Sequence, residues 1–200
     1  MTSQDQLGFG DMLAEAAETN AKRAFAKETA HLPGTMKEAV ACHREQIKAH
    51  HAAMLACDFE TAFAIRNEAH LLARKLNGGA PGILAHDDAP GYVLARACAA
   101  EDGTVSQWGQ EGVFDISVAG TDCRVTFHGM FAIGATAMPY LGFEVRAVDK
   151  SRPFISGTGY RSFLGCSVAP EGGMKPKDFA AKIIAHYAET ALRGKLIDIG

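Results

Sequence analysis

The sequence has no pair of cysteines in a CxxC arrangement, and its five cysteines are widely separated. An odd, scattered set does not match a zinc ribbon, a redox dithiol or the disulfide framework of a small secreted domain. The N-terminal stretch MTSQDQLGFGDMLAEAAETNAKRAF lacks the apolar core of a signal peptide, and no apolar run reaches the length of a membrane span. We therefore expect a reduced, cytoplasmic protein that does not associate with a membrane.

The sequence also lacks a strong charge of one sign, since its 200 residues carry a net charge of −3. Such a chain has no general attraction for nucleic acid or anionic lipid. Cofactor and catalytic signatures are missing as well. The stretch GTGYRS has neither the third glycine of a dinucleotide fingerprint nor the lysine of a P-loop, and no serine stands in a GxSxG elbow. We predict no cofactor, and we interpret Gly157 and Gly159 as residues of a hairpin turn that permit positive φ.

Helical patterns dominate the first half of the chain. The stretch DMLAEAAETNAKRAFAKETAHLPG predicts a helix that Asp11 caps and that ends by Pro33. Thr35 and Glu38 form a capping box for a second helix, and Asp58 is placed to cap a third. Because almost no linker separates the second and third helices, we expect an antiparallel helix hairpin. The alanine-rich helices are also compatible with a homodimer.

The second half changes to strand-like alternation. The stretch VFDISVAGTDCRVTFHG predicts a β-hairpin with one face in water, and YLGFEVRAVDK predicts a third strand. Further strand-like stretches are PFIS and YRSFLGC, and a final helix, KPKDFAAKIIAHYAETALRG, suits the role of covering the sheet. We predict an α+β protein with a helical region at 1–103 and an antiparallel sheet packed against a C-terminal helix at 104–200, together one compact unit. The single tryptophan, Trp108, is expected to be a structural anchor.

The helix hairpin and its N-terminal side contain five histidines: His31, His43, His50, His51 and His70. Histidine is a common metal ligand, and helical bundles host metal sites. Ligands on one helix converge on an ion when they are three or four residues apart, whereas His43 and His50 are separated by about 10 Å along the axis at ~1.5 Å per residue. We therefore expect these histidines to flank the apolar stripe of the hairpin, and we predict no metal site.

The stretch RAVDKSRPFISGTGYR combines positive charge with aromatic rings. The predicted binding residues in it are Arg146, Lys150, Arg152, Tyr160 and Arg161. Basic side chains beside aromatic faces are typical of proteins that bind single-stranded nucleic acid. Because Glu144 and Asp149 reduce the positive charge here, we favour a protein or a small anionic ligand over nucleic acid as the partner.

A second interpretation is a small metal-dependent or acid–base enzyme with its site at the junction of helices and sheet. Its candidate residues are His86, Asp87 and His128, with Tyr160 and Arg161 as further contributors. Imidazole and carboxylate groups suit both a divalent ion and proton transfer. Aspartates before a helix are also routine complements of its dipole, and Asp88 is expected to cap a short helix here.

No spacing of residues in the sequence matches a known catalytic arrangement. Cys166 could in principle be a nucleophile, but it is expected to be a buried, inert thiol. We therefore favour a non-enzymatic binding or regulatory protein that acts through a protein or small anionic partner. The alternatives are the small enzyme described above and a nucleic-acid-binding accessory protein.

Overall fold

The chain forms a helical half, then a sheet and a final helix, which confirms the predicted α+β fold class. The computed structural model describes residues 4–83, 88–131, 142–164 and 168–200. The elements are α1 (Gln4–Glu28), α2 (Met36–Leu55), α3 (Phe59–Leu76), α4 (Pro90–Ala97), β1 (Glu111–Val118), β2 (Thr121–His128), a 3₁₀ turn (Gly129–Phe131), β3 (Phe143–Ala147), β4 (Tyr160–Phe163) and α5 (Pro176–Thr190).

Helix α1 is longer than the sequence predicted. It begins at Gln4, so Asp11 lies inside the helix and the expectation that this residue caps it is wrong. Gly8 and Gly10 lower helix propensity, but unlike proline they do not break the hydrogen-bond ladder, so the helix continues through them. Neither α1 nor any other helix in the described residues is long and apolar enough to cross a membrane.

Helices α2 and α3 form the predicted hairpin. Thr35 is the N-cap of α2: its hydroxyl accepts from the backbone N–H of Glu38 at 3.4 Å and donates to the carboxylate of the same residue at 2.7 Å. Asp58 caps α3 by accepting from the backbone N–H of Thr61 at 3.1 Å. Between the helices, Cys57 reverses the chain with a φ of 57°. Both predicted caps are thus confirmed.

Helix α4 starts differently from the prediction. Its N-cap is Ala89, which makes no side-chain cap hydrogen bond, so the expectation that Asp88 caps the helix is wrong. A polar cap is less necessary here because Pro90 in the first turn has no N–H to satisfy. The N–H of Gly91 donates instead to the carbonyl oxygen of Gly82 at 2.8 Å.

Gly82 lies where the backbone of this connection meets α3. A Cβ at this position would be 2.4 Å from the carbonyl carbon of Ala73. Because the obstacle is helix backbone, Gly82→Ala is expected to lower the free energy of unfolding by about 1–3 kcal/mol. Gly34→Ala is the matched control, since nothing lies within 4 Å of a Cβ there. Urea denaturation followed by circular dichroism compares the two, and equal midpoints would contradict the prediction.

The four described strands form an antiparallel sheet in the order β1-β2-β3-β4. Ala119 and Gly120, with φ values of 52° and 79°, make the tight turn of the predicted β1–β2 hairpin. Positive φ at both turn positions matches the right-handed twist of the strands. The next pairs are equally regular, with β2 antiparallel to β3 and β3 antiparallel to β4.

The region around the Gly-Thr-Gly turn differs in two respects from the prediction. Gly159 has the expected positive φ, 69°, but Gly157 does not, and the turn does not close a hairpin between PFIS and β4. Phe154 forms instead an antiparallel bridge with Ile197, in which each residue donates its N–H to the other's carbonyl oxygen at 2.8 Å. The C-terminal KLIDI stretch therefore supplies the pairing partner of PFIS.

Two buried apolar clusters connect the helical half with the sheet. The larger cluster joins the inner face of the sheet to α5 through Phe114, Phe127, Phe143, Val145, Phe179, Ile183 and Ile184. Met54 of α2 and Ala62 of α3 belong to this cluster too. The second cluster lies among the helices and includes Met130 and Phe131, which directly follow β2. The division of the chain at residue 103 remains a prediction.

Candidate functional site

One face of the sheet carries the polar residues, because successive side chains of a strand point to opposite sides. The residues on this face include Glu111, Val113, Asp115 and Ser117 of β1, Asp122, Arg124, Thr126 and His128 of β2, Glu144 and Arg146 of β3, and Tyr160 and Ser162 of β4. The aromatic and aliphatic residues between them face α5. We call this polar surface the open face.

Glu144 is the centre of a group of contacts on the open face. Its carboxylate accepts a hydrogen bond from the hydroxyl of Tyr160 at 2.7 Å and lies 3.7 Å from a guanidinium nitrogen of Arg146. His128 Nε2 is also 3.7 Å from this carboxylate. The guanidinium carbon of Arg146 stands 4.7 Å from the centre of the Tyr160 ring. We call these four residues the Glu144 cluster.

The hydrogen bond that the Tyr160 hydroxyl donates to Glu144 stabilises the neutral phenol. This bond raises the pKa of Tyr160, with smaller contributions from burial and from the carboxylate charge, whereas Ser162 and the charge of Arg146 act against it. The ring of Tyr160 is therefore held in place by a hydrogen bond at one end and by Arg146 across its face. An ordered aromatic ring with a partly exposed guanidinium is a combination enriched at protein interfaces.

Beside the cluster, Arg124 forms a two-pronged contact with Asp115. Its Nε and one terminal nitrogen donate to the two carboxylate oxygens at 2.9 and 3.0 Å. This hydrogen bonding lowers the pKa of Asp115 and raises the pKa of Arg124. A groove of about 610 Å³ runs past this pair, between β1 and the segment at Asp102 and Gly103.

Lys150 and Arg152 lie at one end of the open face, in the connection from β3 to β4. The carboxylate of Asp149 accepts from the backbone N–H and the hydroxyl of Ser151, at 2.9 and 2.7 Å, and so forms the turn between the two cations. Arg152 lies 3.6 Å from the carboxylate of Asp122. Both Lys150 and Arg152 are exposed.

Arg161 lies on the opposite side of the sheet from the other predicted binding residues. Its guanidinium carbon is 4.0 Å from the ring centre of Tyr187 on α5 and 5.7 Å from that of Phe163. Its Nε is buried and has no hydrogen-bond partner among the described residues. Because successive side chains in a strand point to opposite faces, Arg161 and Tyr160 cannot share a face. Of the predicted binding residues on the strands, only Arg146 and Tyr160 therefore lie together.

The alternative enzyme site cannot be assembled from the described residues. His86 and Asp87 lie outside the residues that the structure describes, as does Cys166. His128 is on the open face, where its closest charged group is Glu144. The proposed combination of His86, Asp87 and His128 therefore remains a prediction.

The hairpin histidines make separate contacts. His31 pairs with Glu68, His43 Nδ1 lies 3.1 Å from Gln46 Oε1, and His70 Nε2 lies 3.0 Å from the carbonyl oxygen of Met130. In the described residues, no group of three or more histidine, cysteine, aspartate or glutamate side chains is arranged to hold a metal ion.

Sequence reasoning missed the contacts that place Glu144 at the centre of this cluster. The feature of the sequence that indicates part of this cluster is the two-residue spacing of Glu144 and Arg146, which places both side chains on one face of a strand. Tyr160 joins them because it is paired directly with Arg146 across β3 and β4. That register depends on long-range pairing, which local sequence patterns do not specify.

Comparison with protein families finds a match in the second half of the chain. Residues 111–193, from the start of β1 to just beyond α5, match the family described as the KlcB third domain. An Escherichia coli protein named Protein KlcB is 44% identical over 102 residues, which cover 48% of this chain and 24% of that protein. Another Escherichia coli Protein KlcB is 43% identical over 89 residues, which cover 44% of this chain and 18% of that protein. No solved structure matches the chain. The chain thus matches a quarter or less of the length of these relatives.

Proposed function

We propose that the protein is a non-enzymatic accessory protein that binds another protein through the open face of its sheet. The contact residues are Arg146, Lys150, Arg152 and Tyr160, the four predicted binding residues on or beside that face. The observation that carries the proposal is the exposed Arg146–Tyr160 pair, held by Glu144 on the side of the sheet opposite to α5. We further propose that carboxylates on a partner surface of mixed charge contact these cations.

The charge distribution favours a protein over nucleic acid. Three arginines on or beside the open face each have a carboxylate within 4 Å: Arg124 has Asp115, Arg146 has Glu144, and Arg152 has Asp122. A nucleic-acid backbone laid across this surface would meet these carboxylates as well as the cations. A protein partner can match a mixed pattern with its own mixture of charges.

An apolar residue beside the cations supports the same interpretation. Val148 is 48% exposed, and its N–H continues the strand ladder by donating to the carbonyl oxygen of Asp122 at 3.1 Å. Together with the Tyr160 ring, which is 37% exposed, it gives the surface apolar area next to charge. Protein interfaces commonly combine an apolar centre with a polar rim.

The proposal also concerns the organisation and location of the protein. We propose that residues 104–200 form the binding unit and that the helical region 1–103 supports it; the family match to 111–193 agrees with this division. We propose a cytoplasmic location, supported by the free state of the four cysteines that the structure describes. Burial raises the pKa of one of them, Cys123, to about 12, which makes its thiol unreactive.

Removal of two cations from the open face tests the proposed contact. Arg146→Ala/Arg152→Ala is expected to weaken partner binding about 10- to 100-fold, since arginine is enriched among the interface residues whose truncation costs more than about 1 kcal/mol. The partner is first isolated on the full chain from the native host at low salt, with and without nuclease. Its dissociation constant is then measured for each variant by biolayer interferometry.

The matched control is Lys177→Ala/Lys195→Ala, which removes two exposed cations outside the open face. It should bind the partner as tightly as the unmodified chain. Equal affinities of the Arg146→Ala/Arg152→Ala variant and the control would contradict the proposal. Loss of the captured material after nuclease treatment would identify nucleic acid as the partner instead.

A further inference from the structure

Helix α1 stands apart from the rest of the described chain. Every residue from Gly10 to Ala24 is exposed. The helix is attached near its end, where the guanidinium carbon of Arg74 lies 4.4 Å from the ring centre of Phe25. A helix in water gains most of its stability from the packing of one face. Because α1 has 25 residues and is largely uncovered, we expect another surface to pack against it.

One side of α1 is suited to close helix packing. Successive residues are rotated by about 100° around a helix, which places one group of small or apolar residues within an arc of about 100°. This group comprises Gly10, Leu13, Ala14, Ala17, Ala21 and Ala24. Leu13 is 56% exposed, so its side chain is available for contact. We call this group the alanine face. Because the side chains of the alanine face are small, the backbone of a second helix can approach this face closely.

The charges of α1 are divided between its two halves. Its exposed acids Asp11, Glu15 and Glu18 come first, and its cations Lys22, Arg23 and Lys27 follow, with Glu28 as an exception at the end. In an antiparallel pair of α1 helices, the acidic half of each copy runs along the basic half of the other. A parallel pair would place acid beside acid and base beside base.

We propose that α1 is a self-association helix, which pairs through its alanine face with the same helix of a second copy in antiparallel orientation. Pairing centred near Thr19 brings Ala14 of one copy level with Ala24 of the other. Helices of this length bury a limited area, near or below the ~1,200 Å² that separates weak from stable interfaces. The dimer is therefore in equilibrium with the monomer at micromolar concentration.

Sedimentation velocity of the full chain over a range of concentrations tests the proposal. The mass is expected to rise from the 21.2 kDa of one chain towards twice that value as concentration increases. Ala17→Glu/Ala21→Glu adds two charges to the alanine face and should keep the chain monomeric throughout. The control, Thr19→Glu/Ala26→Glu, adds the same charges on the opposite side of the helix and should dimerise as the unmodified chain does. Retained circular dichroism shows that each variant is folded.

Crosslinking tests the orientation. A mixture of the Ala14→Cys and Ala24→Cys variants should form a disulfide-linked dimer under mild oxidation, and neither variant alone should do so beyond the level of the unmodified chain. Efficient crosslinking of Ala14→Cys with itself would overturn the antiparallel arrangement. A constant mass of one chain at all concentrations, or dimerisation of Ala17→Glu/Ala21→Glu, would overturn self-association. Cosedimentation of a monomeric chain with phosphatidylglycerol vesicles would assign the alanine face to lipid instead.

Discussion

Trp108→Ala is expected to lower the free energy of unfolding by about 3–5 kcal/mol, the range for removing a large aromatic side chain from a core. Trp108 is fully buried and packs edge-on against Phe127 of β2 and Phe179 of α5, with ring centres 6.1 and 5.4 Å away. Its indole N–H donates to the carbonyl oxygen of Met174 at 2.8 Å. The substitution therefore opens a cavity where the sheet, α5 and the segment before α5 meet.

The same residue also connects the sheet to the helix hairpin, because its backbone N–H donates to Nδ1 of His51 at 3.1 Å. Since domains have only about 5–15 kcal/mol of stability, the loss expected for Trp108→Ala leaves a marginal fold. Guanidinium denaturation followed by circular dichroism measures the change without depending on tryptophan fluorescence.

Trp108→Phe is the matched control, because it keeps an aromatic ring while removing the indole N–H. Its expected cost is smaller, about 1–3 kcal/mol, mainly from a smaller ring and an unsatisfied carbonyl oxygen at Met174. A Trp108→Ala protein within 1 kcal/mol of the unmodified chain would show that Trp108 is not an anchor. Equal losses for both variants would assign the whole effect to the hydrogen bond.

The fold was largely predictable because its elements are marked by local chemistry. Thr35 and Asp58 cap helices where their side chains can accept from free N–H groups, and these caps are visible in the sequence. The predicted start of α4 was wrong because tertiary contacts, rather than a capping side chain, determine where this helix begins. Ala89 starts α4 without a polar side chain because Pro90 and the N–H···O contact between Gly91 and Gly82 reduce the need for one.

The candidate site was less predictable because it depends on pairing between distant strands. The sequence places Arg146, Tyr160 and Arg161 in one basic and aromatic stretch. Strand alternation then sends Arg161 to the face of α5, where it stacks on Tyr187, and the β3–β4 register brings Tyr160 beside Arg146. Proximity along the chain was therefore a poor guide to proximity on the surface.

His50 of α2 is expected to make the stability of the protein sensitive to acid. The side chain is fully buried, and neither ring nitrogen has a hydrogen-bond partner among the described residues. Burial lowers its pKa from the ordinary value of 6.5 to about 4; the nearby backbone of Trp108 opposes this shift, and the charges of Arg66, His51 and His43 add to it. The loop before β1 encloses the ring closely, since a Cβ on Gly109 would lie 2.8 Å from its Nδ1.

The sign of the pH effect follows from this lowered pKa. Between pH 6.5 and 4 the unfolded chain binds a proton at His50 while the folded chain does not, so acidification favours unfolding. Linkage predicts that this residue alone removes about 2 kcal/mol of stability between pH 7.5 and 5. Burial also lowers the pKa values of His43, His51 and His70, which adds to the loss in the same direction.

His50→Leu is expected to remove the His50 share of this pH dependence, because leucine has a similar volume and no proton to bind. Urea denaturation at pH 7.5, 6 and 5 should show a loss on acidification that is about 2 kcal/mol smaller in the variant than in the unmodified chain. The control is His186→Leu on the exposed side of α5, which should keep the original slope. If His50→Leu loses stability with acid as steeply as the unmodified chain, the buried imidazole does not cause the effect. The remaining slope in His50→Leu then reports the other shifted groups, among them His43, His51 and His70, while Glu111, whose pKa burial raises, acts in the opposite direction.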